Sequence, residues 1–467
     1  MTEVYKNIYF YIGIFFVIYL IGYATFLFLS VIVGTFTLYK AKKASLLENK
    51  IADDYYIPVS IVVPAYNEVV TIVDTINSLL MLKYKLYEII VVDDGSKDDT
   101  SKAVIDAFNM QRINKPIDIQ IPCQRVINVF ETKEQKVPIT LIRKKNGGKA
   151  DALNMGINAS SYPYFICMDA DSVLQYDSLE KIVKPIIEND NVIAVGGAIR
   201  PCNGMKIING KVEDYHMPKN ILACMQVLEY DRSFLASRIL FDKFNGNIII
   251  SGAFGLFDKQ TVISVGGYDS STMGEDMELV VKLHVFCRKF NKEYNIKYAY
   301  DAICWTQAPE RLVDLCKQRK RWHIGLFQTM VRHRTMLANV RFGMVGTISY
   351  MYFLFYELLS PYIEIFGIIT MVIACCLGII NIPFMIWFMM FYTIYASIMS
   401  LTAFFARSQT LDLHITFSGV VKAVILCVFE VSFLRIRLSI VRVFALVGYK
   451  KKKKDWGQIE RKKLNLS

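Results

Sequence analysis

Several patterns are missing from this chain, and each absence removes a class of function. Its ten cysteines include no Cys-x-x-Cys pair, and no His-x₃-His spacing lies near them. That argues against a zinc site and against a disulfide framework. Cys123, Cys167, Cys202, Cys224, Cys287, Cys304 and Cys316 fall in a segment expected to be cytosolic, where thiols stay reduced. Cys375, Cys376 and Cys427 lie in apolar stretches and are expected only to pack. No internal repeat is visible. The first long apolar run, Ile8–Tyr39, contains no charge, and it lacks the short apolar segment and small-residue cleavage site of a secretory leader. A retained membrane anchor is therefore expected.

What the chain has in excess is apolar surface. Of its 467 residues 54% are hydrophobic, concentrated in Ile8–Tyr39, Met344–Phe405 and Phe417–Leu434, the last interrupted by Lys422 and Glu430. The net charge of +12 does not point to nucleic acid. Lys40, Lys42 and Lys43 directly follow the first span and Lys450–Lys454 follow the last, and basic residues collect beside spans on the cytoplasmic side. This predicts a multi-pass protein of the cell membrane with the N-terminus outside. The region after Tyr39 and the basic tail are then cytosolic, the tail touching anionic membrane lipids. The later spans must be even in number. Four are read, Phe342–Leu359, Tyr362–Ile380, Pro383–Phe405 and Phe417–Leu434. Glu357 and Glu364 flank Pro361 inside this region and face either a polar path or the outer headgroups.

Between the first span and Gly343, strand and helix signals alternate. Apolar runs at Val59–Val63, Ile89–Val92, Ile139–Ile142, Tyr164–Met168, Val192–Val195 and Ile248–Leu256 predict buried strands. Helical patterns fall at Val69–Met81, Ala150–Ala159, Asp177–Ile187 and Met277–Phe290. The alternation predicts an α/β domain with a mostly parallel sheet and helices on both faces. Gln111–Lys136 is polar and irregular and reads as a surface insertion. In such sheets ligands bind at the carboxyl ends of the strands, so the residues after each apolar run carry the candidate chemistry.

The first strand ends in Pro64-Ala65-Tyr66-Asn67-Glu68 and the second in Asp93-Asp94-Gly95-Ser96; either is by itself consistent with a capped turn. Asn146-Gly147-Gly148-Lys149 opens a helix. It is not the phosphate loop of nucleotide hydrolases, which needs Gly where Arg143 stands and Ser or Thr where Ala150 stands. Lys149 beneath two glycines can still meet a diphosphate or stand solvated on a turn. Asp169-Ala170-Asp171 follows the fourth strand, and carboxylates at i and i+2 suit one hard cation held together with substrate phosphates. Gly274-Glu275-Asp276 precedes a helix, where an acid either caps it or serves as a general base. Gln318-Arg319-Lys320-Arg321-Trp322 lies in an amphipathic pattern, with Gln318 and Arg321 on one face and Trp322 beside them. That pattern also suits a basic helix lying on lipid headgroups.

Together and in this order, these motifs resemble the processive family-two glycosyltransferases: cellulose, mixed-linkage glucan, chitin, hyaluronan and poly-N-acetylglucosamine synthases. The resemblance covers Val59 to Gly325, includes Gln226–Tyr230 and Ser251–Phe257, and is most specific at Gln-x-x-Arg-Trp. It implies a GT-A fold and inversion at the anomeric carbon, from an α-linked UDP-sugar to a β-linked product. It implies Asp276 as general base and Asp171 as ligand of Mg²⁺ or Mn²⁺. Tyr66 and Asp94 are implied on the uridine and Lys149 near the leaving diphosphate, with Glu68, Asp169 and Glu275 among the substrate-binding residues. Gln318 and Arg321 would hold the diphosphate or the acceptor end, and Trp322 would stack on the terminal sugar of the growing polysaccharide acceptor. UDP-glucose is slightly favoured over UDP-N-acetylglucosamine. The alternatives are a single-transfer enzyme acting on a lipid phosphate and a non-catalytic polysaccharide export subunit. The expected division is an anchor at 1–43, a catalytic domain at 56–310 and an interfacial helix region at 311–341. A translocation region at 342–434 and a basic tail at 435–467 follow, with no cyclic-dinucleotide regulatory domain expected.

Overall fold

The computed structural model describes residues 2–47, 56–132, 135–203, 205–208, 211–214, 216–410 and 415–449. Of the tail expected at 435–467, residues 435–449 are described and open with the helix Arg435–Val443, whereas Lys450–Lys454 and the residues after them lie outside the described residues. The chain opens with one long helix, Thr2–Leu47, and then builds a ten-stranded sheet. Its strands are β1 (Val59–Ala65), β2 (Tyr87–Asp93), β3 (Gln111–Ile113), β4 (Val126–Glu131), β5 (Ile139–Lys144), β6 (Tyr164–Met168), β7 (Val173–Leu174) and β8 (Val192–Pro201). A separate two-stranded ribbon, β9 (Lys206–Ile208) and β10 (Lys211–Asp214), precedes β11 (Phe254–Asp258) and β12 (Asn295–Thr306). The order across the sheet is β3-β4-β5-β2-β1-β6-β11-β8-β12-β7. The block β5-β2-β1-β6 is parallel, as is the β8–β12 pair, and β11 runs antiparallel between β6 and β8.

Alternation within the strands divides the core. Ile61 and Val63 of β1, with Ile89 and Val91 of β2, face the helices Ile72–Leu80 and Ser178–Glu188. Val62, Ile90 and Val92 face the helices Lys149–Ala159 and Glu275–Lys289. Both faces are buried, which is why the strands read as continuous apolar runs.

Three expectations need correction here. Ile248–Leu256 is not one strand: pairing begins at Phe254, because a turn closes from the Phe254 N–H to the Ser251 carbonyl (3.1 Å) and the Gly252 N–H is used elsewhere. The segment Gln111–Lys136 is not wholly irregular, since β4 pairs antiparallel with β5 and β3 antiparallel with β4, extending the sheet. The two spans expected over Phe342–Ile380 are one bent pair of helices, Val345–Leu358 and Ser360–Cys376, meeting at 47°. Neither limb reaches the roughly 20 residues that cross a bilayer. Pro361 sits at the start of the second limb, where it starts that limb without continuing the first.

Among the described residues three helices are long and apolar enough to cross a membrane, Asn7–Lys43, Ile382–Ser408 and Phe417–Leu446, or four if the bent pair is one broken span. They meet the sheet domain along the helix Ile221–Tyr230 and the π-helical turn Asp231–Ala236 that continues it. Ion pairs cross this boundary. Arg232 forks onto both oxygens of Glu430 at 2.8 and 3.0 Å, and Arg407 meets Asp231 at 3.2 Å. Glu364 of the bent pair receives Arg435 at 2.6 Å and the hydroxyls of Ser360 and Ser439.

Candidate active site

Four loops at the carboxyl ends of the parallel strands meet above the sheet. The loops after β1 and β2 are tied together: the Asn67 N–H donates to Ser96 Oγ (3.0 Å), and Asn67 Oδ1 accepts from the Lys97 N–H (2.8 Å). This leaves Tyr66 exposed at 41%, its ring open to a ligand. Glu68 accepts from Thr71 Oγ1 (2.9 Å) at the start of the helix Ile72–Leu80.

Asp94 is buried, and its carboxylate accepts from the backbone N–H of Gly147 (3.0 Å) and of Gly148 (2.7 Å). Burial pushes its pKa up, and the fully buried Lys144 ammonium beside it works against that push. Lys144 also reaches Asp151 at 2.5 Å. Asp94 therefore shapes the glycine turn from below. Gly148 takes a left-handed φ of +92°, a conformation that a side chain resists.

That turn delivers Lys149 into the cleft. Its ammonium pairs with Asp169 at the end of β6 and stands 3.9 Å from Glu275 Oε1. Burial alone would lower the lysine's pKa, but the Asp169 and Glu275 carboxylates outweigh it and hold Lys149 charged. Asp171 lies two residues on, half-buried in the same turn.

Glu275 and Asp276 form the first turn of the helix Glu275–Lys289, where the backbone dipole favours acids. The expected helix start at Met277 is thus two residues late. Asp276 Oδ2 accepts from the Gly252 N–H (3.2 Å) and Oδ1 from the Met277 N–H (2.8 Å). A Cβ built on Gly252 would lie 3.3 Å from Lys149 Nζ and 3.6 Å from Asp276 Cβ, so these three residues converge. Burial pushes the Glu275 carboxyl up to about 7 even against Lys149; Asp276 adds to the push, and Arg321 holds it back.

Gln318, Arg321 and Trp322 lie on the helix Leu312–Arg332. A contact between two glycines sets that helix against the acids. A Cβ on Gly325 would meet the Gly274 Cα and N at 2.7 Å, and one on Gly274 would meet the Gly325 Cα at 2.9 Å. Gln318 Oε1 is buried with no hydrogen-bond partner among the described residues, a cost of roughly 1–3 kcal/mol that a ligand hydroxyl can relieve. Trp322 remains 37% exposed, with the Arg319 guanidinium 4.5 Å from its ring centre. Sequence patterns did not single out Lys144, Gly252, Gly325 or Arg319. Gly325 alone left a signal, as a glycine inside a strong helical pattern, which usually marks close approach.

The site thus gathers the Lys149 ammonium against Asp169, the paired acids Glu275 and Asp276, and the part-exposed Trp322 ring. The family described as "Glycosyl transferase family group 2" matches residues 164–405, over half of the chain. The chain belongs to glycosyltransferase family 2. A second family-2 match, "Glycosyl transferase family 2", covers residues 60–121. This family-2 chain is 30% identical over 345 residues to the poly-β-1,6-N-acetyl-D-glucosamine synthase of Staphylococcus aureus, covering 72% of this chain and 73% of that one. It is also 30% identical over 302 residues to the synthase of that name from Staphylococcus epidermidis, covering 63% and 62% of the two chains. A mannosyltransferase from Pyrobaculum calidifontis, solved with GDP-Man and Mn²⁺, superposes with a TM-score of 0.52 at 19% identity. That match covers 84% of this chain and 99% of the other. The catalytic domain of this family-2 enzyme has the GT-A fold, and the non-catalytic export reading falls away.

Proposed function

We propose that this glycosyltransferase is a processive, inverting polysaccharide synthase that extends a β-linked chain from a UDP-sugar. The observation that carries the reading is the Gly274–Gly325 contact, which brings the Gln318–Trp322 helix onto the Glu275–Asp276 turn. The sequence favours UDP-glucose slightly; the names of the 30%-identical relatives favour UDP-N-acetylglucosamine, and we take the latter as donor.

In this scheme Asp276 removes the proton of the acceptor hydroxyl as that oxygen attacks the anomeric carbon. The bond from that carbon to the UDP oxygen breaks, the electron pair leaves with UDP, and the configuration inverts. The Gly252 N–H holds Asp276 Oδ2 in place, and Lys149 lies at hand for the diphosphate. Asp169 and Asp171 offer hard oxygens for Mg²⁺ or Mn²⁺. Among the described residues no group of three or more His, Cys, Asp or Glu could hold a metal ion, so a donor diphosphate suits the remaining positions. Such an ion supplies charge neutralisation for the leaving diphosphate. Tyr66 packs on the uracil, Asp94 supports the nucleotide loop, and Trp322 takes the terminal sugar.

The catalytic domain faces the cytosol in this reading, and polymer leaves through the membrane helices. Asn7–Lys43, Ile382–Ser408 and Phe417–Leu446 span, while the bent pair lies at the membrane without completing a crossing. Two later spans keep the even number that returns the chain to the cytosol.

The test is to incubate the purified protein in lipid nanodiscs with UDP-N-acetylglucosamine or UDP-glucose singly. Product is sized at low donor turnover and digested with linkage-specific hydrolases. Long, hexosaminidase-sensitive polymer from UDP-N-acetylglucosamine is expected. Release of single-sugar adducts alone would overturn processivity, and polymer from UDP-glucose alone would overturn the donor.

A further inference from the structure

We propose that Glu229, acting through Arg319, is a positioning residue for Trp322 and registers its ring to the membrane helices. The inference rests on the proposed role of Trp322 as holder of the growing chain. Arg319 is 3% exposed, and one of its terminal nitrogens donates to Glu229 Oε2 at 2.6 Å. Its guanidinium lies over the Trp322 indole, 4.5 Å from the ring centre. The ring therefore has a cation held on it by a carboxylate from a different helix, and the indole keeps part of its surface open.

The carboxylate is itself anchored. The helix Ile221–Tyr230 that carries Glu229 is bonded to the chain just ahead of the Trp322 helix: Gln226 Nε2 donates to the Pro309 carbonyl (2.8 Å) and Asn220 Nδ2 to the Glu310 carbonyl (3.1 Å). Immediately after Tyr230 the backbone widens into the π-helical turn, a form often found at functional positions. Through it, successive residues reach different membrane helices, Asp231 to Arg407 and Arg232 to Glu430 and Ser400. Three of four consecutive side chains, Glu229, Asp231 and Arg232, are thus committed to buried ion pairs with three separate elements. This segment is one route by which movement of Ile382–Thr410 or Phe417–Phe429 relative to the sheet reaches Trp322, beside the direct packing of Leu315 on Leu434 and Leu438.

The test compares Glu229→Gln and Arg319→Lys with the parent in nanodiscs. Glu229→Gln keeps the volume and removes the charge that holds Arg319. Arg319→Lys keeps an ion pair and removes the flat cation from the ring. At matched, low donor turnover, each folded variant is expected to shorten the product roughly tenfold, on the scale of a lost cation–π contact, with the donor KM unchanged. Asp231→Asn, which cuts one tie of this segment to the membrane helices and leaves the Glu229–Arg319 pair intact, is expected to lower thermal stability and to shorten the product less than either variant. Parent-length polymer from either folded variant overturns the inference. If both fail to fold, the pair is a folding element and the positioning role is refuted. Single-sugar adducts from the parent would instead refute the processive reading on which the inference stands.

Discussion

The substitution Gly325→Ala separates the geometry of the site from the stability of the fold. In an exposed helix interior the exchange would gain about 0.8–1 kcal/mol from propensity. Here the new methyl would meet Gly274 Cα and N at 2.7 Å and the Met273 carbonyl carbon at 3.1 Å. Non-bonded carbons rest about 3.5–4.0 Å apart, so the helices must separate by about 1 Å. All three atoms are backbone, which leaves no side chain to swing aside. Overpacking of this kind costs about 1–3 kcal/mol, offset by the propensity gain, so the net loss of stability is about 0–2 kcal/mol. Catalysis has no such offset. The displaced residue directly precedes Glu275 and Asp276, and a misplacement of about 1 Å can cost about 10²-fold in rate. The expected outcome is a folded protein with a small drop in melting temperature and a UDP-release kcat lower by about two orders of magnitude. The assay pairs enzyme-coupled UDP detection with thermal unfolding in the same detergent. Parent-like kcat and KM would show that the contact does not position the base.

Asp276→Asn should abolish polymer while UDP binding, measured calorimetrically, changes little; near-normal turnover would remove Asp276 as the base. Asp171→Ala, like chelation of the parent, should lose both divalent-dependent UDP binding and synthesis, and full activity in chelator would exclude the ion. Trp322→Ala should give short product or none at matched turnover, whereas a tryptophan that only anchors its helix would lower yield without changing length. Glu275 gives a pH signature. Its folded pKa of about 7 exceeds its ordinary 4.5, so between those values the folded chain holds a proton that the unfolded chain has released. That contribution is fully present below about 4.5 and lost as pH rises to about 7, so donor-free stability should fall across the window. Glu275→Gln should flatten this trend in melting temperature, and an unchanged slope would contradict the buried carboxyl.

Much of the fold was legible because both faces of the sheet are covered, so strands and intervening helices announce themselves as apolar runs of different length and period. Tyr164–Met168 was bounded from sequence without error, and Val59, Ile89 and Ile139 fall within their strands. The edge strand β3 and its neighbour β4 were missed because exposed Arg112 and half-exposed Asn128 dilute any apolar signal. The bend at Leu359 was missed because hydropathy counts residues and is blind to direction. At the site, residue types and spacing identified Lys149, Asp169, Glu275 and Asp276, which the structure brings together. They could not show that Asp94 has its carboxylate turned into the glycine loop, since an aspartate at a strand end looks the same whichever way it points.

The ion pairs at the boundary of the catalytic domain bear on how the protein can be made. Glu430 and Arg435 lie within the last apolar helix, where a lone charge costs about 2.5–3.5 kcal/mol on insertion scales. Their partners Arg232 and Glu364 precede them in the chain, so the ribosome has delivered both before the last helix emerges. Final docking of that helix therefore neutralises charges left waiting in two regions synthesised earlier. A protein cut short before Phe417 would carry Arg232 and Glu364 without their counter-ions. The catalytic domain is consequently a poor candidate for expression as an excised soluble fragment, and its maturation belongs to the last stage of membrane assembly.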